Sequence, residues 1–273
     1  ADNYIQQALP ANAWGKKYLT VPTAKMTNNI YRIAVSDPTA VVKLNGNVLP
    51  PSSLVNNFYY EFVSNAANAI EADLPIMVAQ YITTTGSYGN SNNNNGDPEM
   101  IYLSPIEQTI NKVTINSTPF ANIVDTLHYV NIVLPKGATA SLKVDGVTPI
   151  NAVPHPGDAN YVYYQVNLRS GSHTIIADSG FNAIAYGYGS VETYGYNAGT
   201  NVIDLYQKLT VNNEFATVKL PATCRGTPFK ASITLPYQPL SLVWNIPKYP
   251  NIPPNYAPAV SYTHLRAHET LMN

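Results

Sequence analysis

Short apolar runs rich in β-branched and aromatic residues recur along the chain, broken by Asn, Asp, Gly and Pro. Lys17–Val21, Tyr31–Val35, Val41–Leu44, Phe58–Val63 and Ile76–Ile82 are each four to seven residues long. Runs of this length and composition predict strands, and the polar punctuation predicts turns. Asn45-Gly46 and Asp145-Gly146 are the pairs favoured where a type I′ hairpin needs positive φ. Helical periodicity is nearly absent. The best helical candidate is a short one around Pro105 to Asn111, and Asn65 to Ala72 reads equally as a turn of helix or a loop. The pattern predicts an all-β fold.

The strand pattern repeats. Tyr31–Gly46 (YRIAVSDPTAVVKLNG) aligns with Tyr129–Gly146 (YVNIVLPKGATASLKVDG), at an offset of 98 for the tyrosines and 100 for the glycines. Phe58–Glu61 aligns with Val162–Gln165 at 104, and Ile76–Tyr81 with Ala183–Tyr188 at 107. The order is kept and the offset drifts only through loops, which predicts duplicated antiparallel β-sandwich-like halves, 1–118 and 119–207. Leu74 to Ile115 holds a strand, a polar loop, Gly96-Asp97-Pro98-Glu99-Met100 and further apolar runs. It reads as the end of the first half and the passage into the second.

A third region, 208–259, carries Cys224 about twenty residues before Trp244 in a strand-like run. That spacing resembles the front of an immunoglobulin-like sandwich, where the Trp packs on an inter-sheet disulfide, so the region reads as a truncated Ig-like β domain. The alternative is a lone buried thiol. The last segment, 260–273, contains VSYTHLRAHET, which resembles a translated sequencing adapter and is set aside as an artefact. Setting it aside matters because His264 and His268, four apart beside Glu269, would otherwise suggest a zinc pair on a helix.

Composition narrows the class. Of 273 residues 45% are hydrophobic, but only 11% are charged, well under the roughly 25% usual in soluble domains. Tyr, at 21 residues, joins Asn, Thr and Ser in solvating the surface, as in secreted β-rich proteins and unlike cytosolic enzymes. A net charge of −1 without a basic cluster disfavours nucleic acid as a partner. No apolar run approaches a membrane span of roughly 20 residues. The sequence opens at Ala1 without a secretory leader, which implies a removed leader or a fragment.

Ordered segments begin with Leu9-Pro10, Trp14–Tyr18 and Val21-Pro22, and continue through Asn29–Arg32 and Val41–Gly46. Pro75–Tyr81, Gly96–Met100 and Pro105–Gln108 follow, and Gly187–Gly199 closes the series. In this order they resemble the N-terminal domain family of the IgG-Fc-binding protein. The resemblance spans about Ala8 to Ala198; the Asn90–Asn95 run departs from it and reads as a loop insertion. It implies an extracellular or outer-surface adhesion module of a large bacterial protein, with glycoprotein or mucin-like partners. A purely structural β spacer and a secreted carbohydrate-active enzyme are the alternatives.

The residues offer little chemistry. There is no Gly-x-Ser-x-Gly elbow and no phosphate-binding Gly-Lys-Ser/Thr loop, and Glu192 stands where the third Gly of a dinucleotide fingerprint would be. His128, His155 and His173 lack metal-ligand spacing and read as structural or exposed. Asp97 and Glu99, two apart, suit a turn, and beyond that a calcium site. An acid–base pair would need a second carboxylate across a cleft. No cofactor and no enzyme activity are expected. Tyr88, Tyr194 and Tyr196 are the ligand-contact candidates, since exposed tyrosines suit interfaces, although alternation predicts that about half of such rings are core.

Overall fold

The computed structural model describes residues 5–84, 86, 95–119, 123–202, 208–213, 229–234 and 265–266. The chain divides into two compact units, 1–203 and 204–273. Among the described residues of the first unit, every regular element longer than a three-residue 3-10 turn is a strand. The segment expected to be a short helix is such a turn, Ile106–Gln108, followed at once by a strand from Ile110. The ambiguous Asn65–Ala72 region opens a long strand at Asn68.

The first sheet holds β1 (Gly15–Thr20), β2 (Asn29–Val35), β3 (Val42–Leu44), β4 (Asn47–Val48), β5 (Tyr59–Ser64), β6 (Asn68–Ile82) and β7 (Glu99–Tyr102). The second holds β8 (Ile110–Ser117), β9 (Ile123–Pro135), β10 (Lys143–Val144), β11 (Val153–Pro154), β12 (Tyr161–Leu168), β13 (Gly171–Gly189) and β14 (Glu192–Asn197). In each, one long strand serves two layers. The first part of β6 pairs with β1 and β3, and its last part with β2 and β7. β13 does the same with β8 and β10, then β9 and β14. A strand that bends from one layer to the other folds a sheet over its own core. In β13 the bend carries Gly180 at φ +77, where a Cβ would also meet Thr109 Oγ1 at 2.5 Å.

The two sheets match in register as well as connectivity. Ile76 faces Gly15 and Phe181 faces Ile110; Ala79 faces Tyr102 and Ile184 faces Asn197; Ile70 faces Leu44 and Ile175 faces Val144. A single step of 105 residues carries β6 onto β13 through all these pairs. Ile33 pairs with Tyr60 and Val78 where Ile132 pairs with Tyr164 and Ala183, a step of 99 along β2. The offsets read from sequence, 98 at Tyr31 and 107 at Ile76, are therefore shifted by one and two residues. A one-residue shift reverses a side chain's face. Tyr31 lies inward, stacked on Phe62 at 5.0 Å, whereas Tyr129 joins a cluster between the two sheets. Ser117 ends β8, which pairs with β13, so the second sheet takes up the chain from Ile110.

Each sheet closes its own core: Tyr18, Ile33, Val42, Tyr60, Ile70 and Val78 in the first, and Val130, Ile132, Tyr164, Ile175, Phe181 and Ala183 in the second. Alternation along Tyr161–Tyr164 runs as its sequence predicts, with Tyr164 in this core and Tyr161 and Tyr163 on the other face. The sheets meet through the connection from β1 to β2, which lies as a strap on β9, β12 and β13. Asn131 Nδ2 donates to Val21 O and Pro22 O (3.3 and 3.0 Å), and Gln165 Nε2 donates to Pro22 O (2.8 Å). Tyr186 Oη accepts from Ala24 N and donates to Asn131 Oδ1, both at 2.8 Å. Met26, Ile82, Tyr129 and Tyr186 pack beneath. Each large apolar side chain buried this way contributes about 1.5–3 kcal/mol.

The second unit contributes a three-stranded antiparallel sheet, β15 (Lys208–Asn213), β16 (Phe229–Thr234) and β17 (Leu265–Arg266). Cys224 and Trp244 lie outside the described residues, and Leu265–Arg266 falls in the segment read as adapter.

Candidate functional site

The Gly96–Glu99 segment is a joint between the sheets. Asn95 bridges to Ser190, Gly96 N–H donates to Gly189 O at 2.9 Å, and Asp97 N–H donates to Thr193 Oγ1 at 2.7 Å. Gly96 has φ +95, and a Cβ there would meet Met26 Cε at 2.7 Å. Glu99 begins β7, and its Oε1 accepts from Met100 N–H at 2.8 Å. Among the described residues, no three His, Cys, Asp or Glu side chains gather as a metal-binding group. Asp97 thus stands in a loop held by hydrogen bonds to the β13–β14 hairpin, and Glu99 opens the strand that follows.

The tyrosine candidates separate. Tyr88 lies outside the described residues. Tyr194 is 8% exposed and sits opposite Gly187 in register, its ring where a Cβ of Gly187 would be, 2.4 Å from Tyr194 Cε1. Its hydroxyl bonds His128 Nδ1 at 2.9 Å, and burial pushes its pKa up to about 12. A ring so enclosed presents no face to a ligand. Tyr196 stacks on Tyr194 at 6.1 Å, and its hydroxyl both donates to Asn116 O (2.8 Å) and accepts from Asn116 N (2.9 Å). That pair of hydrogen bonds to β8 fixes the ring as a brace between β14 and β8.

The three histidines are apart and each is engaged. His128 is fully buried against Tyr194. His173 bonds Asp145 Oδ2 at 2.6 Å and Arg169 O at 2.8 Å. His155, 2% exposed, accepts from Gly157 N–H at Nδ1, so its Nε2 carries the proton that faces Thr20 O at 3.2 Å. Burial holds its pKa below the usual imidazole range. Beside it Lys17 Nζ bridges Asp158 and Glu71 at 2.8 Å each, and Lys17 holds the Asp158 carboxyl below its ordinary range.

An exposed polar and aromatic cluster lies on the outer face of the first sheet, at residues that sequence reasoning did not single out as a site. Arg32 Nε donates to Glu61 Oε2 at 2.6 Å, with side chains 45% and 40% exposed. The guanidinium lies 5.1 Å from the ring centres of both Tyr59 and Tyr81. Val63, 62% exposed, and the half-buried Ile30 flank it. A groove of about 440 Å³ runs along Ile30, Arg32, Tyr81, Ile82 and Pro98. The sequence signal was Arg32 itself, a charged residue within the apolar β2 whose alternation puts it opposite Tyr31 and Ile33.

Comparison with known proteins gives one assignment. The family model described as IgGFc binding protein matches residues 1–187, from the N-terminus into β13. No curated protein matches the chain. Among solved structures, a GH78 family rhamnosidase of Bacillus sp. GL1 aligns with 79% of this chain at 12% identity and a TM-score of 0.16. The alignment spans 33% of that chain, and a likeness at this score carries no argument.

Proposed function

The chain belongs to the IgGFc-binding protein family, and from that membership we propose that it is an extracellular binding module that takes a protein ligand. The family match over residues 1–187 carries this reading. Composition supports it: few charges and many tyrosines suit a secreted β-rich surface better than a cytosolic one. The finer reading is an adhesion module of a large bacterial surface protein with glycoprotein or mucin-like partners. The matching registers of the two sheets favour an internal duplication as its origin. The reading assigns the chain no reaction. Glu99, the acid candidate, has Oε1 engaged by a backbone N–H, and His128, His155 and His173 are each engaged away from it.

The test is immobilisation of the full chain and measurement of binding to IgG Fc, mucins and a glycan array. Saturable binding to a protein or glycoprotein supports the reading. Silence across all three counts against it, and hydrolysis of a glycan that disappears in Glu99→Gln would replace it with an enzyme.

A further inference from the structure

The outer face of the first sheet is the register equivalent of the face with which the second sheet holds the strap. Steps of 99, 104 and 105 residues along β2, β5 and β6 carry Arg32 onto Asn131, Glu61 onto Gln165 and Tyr81 onto Tyr186. In the second sheet these three residues bind Val21, Pro22 and Ala24, and the strap covers two of them, leaving Asn131 2% and Tyr186 0% exposed while Gln165 reaches it from the exposed rim. In the first sheet the same positions stand open beside the 440 Å³ groove. The groove also continues the interface already formed. Ile82 lines it and packs with Met26 of the strap, and Thr83 Oγ1 bonds Asn28 O at 3.4 Å where the strap ends.

We infer that this face docks an extended, proline-containing segment of a partner polypeptide, seated as Val21-Pro22 is seated on the second sheet. The inference rests on the protein-binding reading above and assigns it a surface. A segment lying across a sheet face cannot join the strand ladder, so a side chain must accept from each of its backbone N–H groups, as Tyr186 Oη accepts from Ala24 N–H. Proline has none, and its fixed φ keeps the segment extended. Carbonyls of such a segment need donors. The second sheet supplies amide N–H groups from Asn131 and Gln165, and the first supplies Arg32. A guanidinium has five N–H donors, so it can hold Glu61 and still donate to a carbonyl. Its position over Tyr59 and Tyr81 fixes it before binding, which lowers the ordering cost. The same stacking covers the ring faces that a sugar would need, which favours peptide over glycan at this surface.

The experiment titrates the full chain into a fluorescently labelled peptide of four Val-Pro-Thr repeats, with a Gly-Ser peptide of equal length as comparison. Saturable binding of the first peptide alone is expected, weakened at least tenfold in Arg32→Ala. Glu61→Gln provides a second, isosteric variant, and Ile150→Ser, at an exposed position in the connection between β10 and β11, should bind as wild type does. Equal binding of both peptides, no saturable binding, or full affinity in Arg32→Ala would overturn the inference. The two proposals fail separately. A protein ligand bound equally by wild type and Arg32→Ala removes the face and keeps the module. Peptide binding without any protein ligand on the array retains the face and removes the module reading.

Discussion

Replacing Tyr186 with Phe isolates the polar link between the two sheets. The hydroxyl is buried, and burial raises its pKa well above that of a free tyrosine, so it stays protonated and able to donate. It is the donor to Asn131 Oδ1 and the acceptor of Ala24 N–H. Phenylalanine keeps the ring and its packing against Tyr129 at 5.7 Å, so little cavity term arises. What is lost is satisfaction of two groups. An orphaned buried acceptor costs about 1–3 kcal/mol, and the half-buried Ala24 N–H falls at the low end of that range. The expected loss is about 2–4 kcal/mol. For a unit of this size each kcal/mol moves Tm by about 2–4 °C, so the melt should fall by roughly 4–16 °C. Calorimetry reads the stability, and hydrogen exchange at the Ala24 amide reads the location. A melt within about 2 °C of wild type, with unchanged Ala24 exchange, would refute the reasoning that this hydroxyl ties the strap down.

Other perturbations follow from the same contacts. Gly157→Ala places a Cβ 2.5 Å from Ala69 Cβ and 2.9 Å from Ala69 N, backbone that cannot swing aside, so urea unfolding should show a loss of about 1–3 kcal/mol. Gly46→Ala meets no atom within 4 Å but sits at φ +83, so its loss of about 1–2 kcal/mol should be purely conformational, and Gly46→Asn should recover part of it. His155 is held below its ordinary pKa of about 6.5 by burial, so the unfolded chain binds its proton first. Its contribution to stability is therefore complete above about pH 6.5 and declines as pH falls below that value. Denaturation midpoints between pH 7.5 and 5 should slope downward, and the slope should shrink in His155→Gln. Removal of calcium with a chelator should leave the melt unchanged, because Glu99 Oε1 is already bonded to Met100 N–H and no third metal-ligating side chain joins Asp97 and Glu99 among the described residues. A chelator-induced fall of several degrees would reopen the calcium reading.

Alternation and turn chemistry are local properties, and they are where the sequence was most legible. Period-2 burial separated Tyr164 from Tyr161 and Tyr163, and Asn45-Gly46 and Asp145-Gly146 adopt the positive φ values that their identities suggested, 50 and 83, then 52 and 81. The Tyr194 and Tyr196 candidates illustrate what was not legible. Their composition suits a contact patch, but Gly187 across the β13–β14 hairpin opens a slot for one ring, and Asn116, 80 residues away, holds the hydroxyl of the other.

By itself, the sequence determined an all-β fold with hairpins at fixed places, and its ordered motifs pointed to the family that residues 1–187 match. Only the tertiary structure decided the register between the halves and which sheet face is covered. The reason is physical. A strand's own side chains declare two faces, but which face meets solvent depends on a segment brought from elsewhere. The strap from β1 to β2 covers the face that holds Asn131 and Tyr186, while the corresponding face around Arg32 stays open.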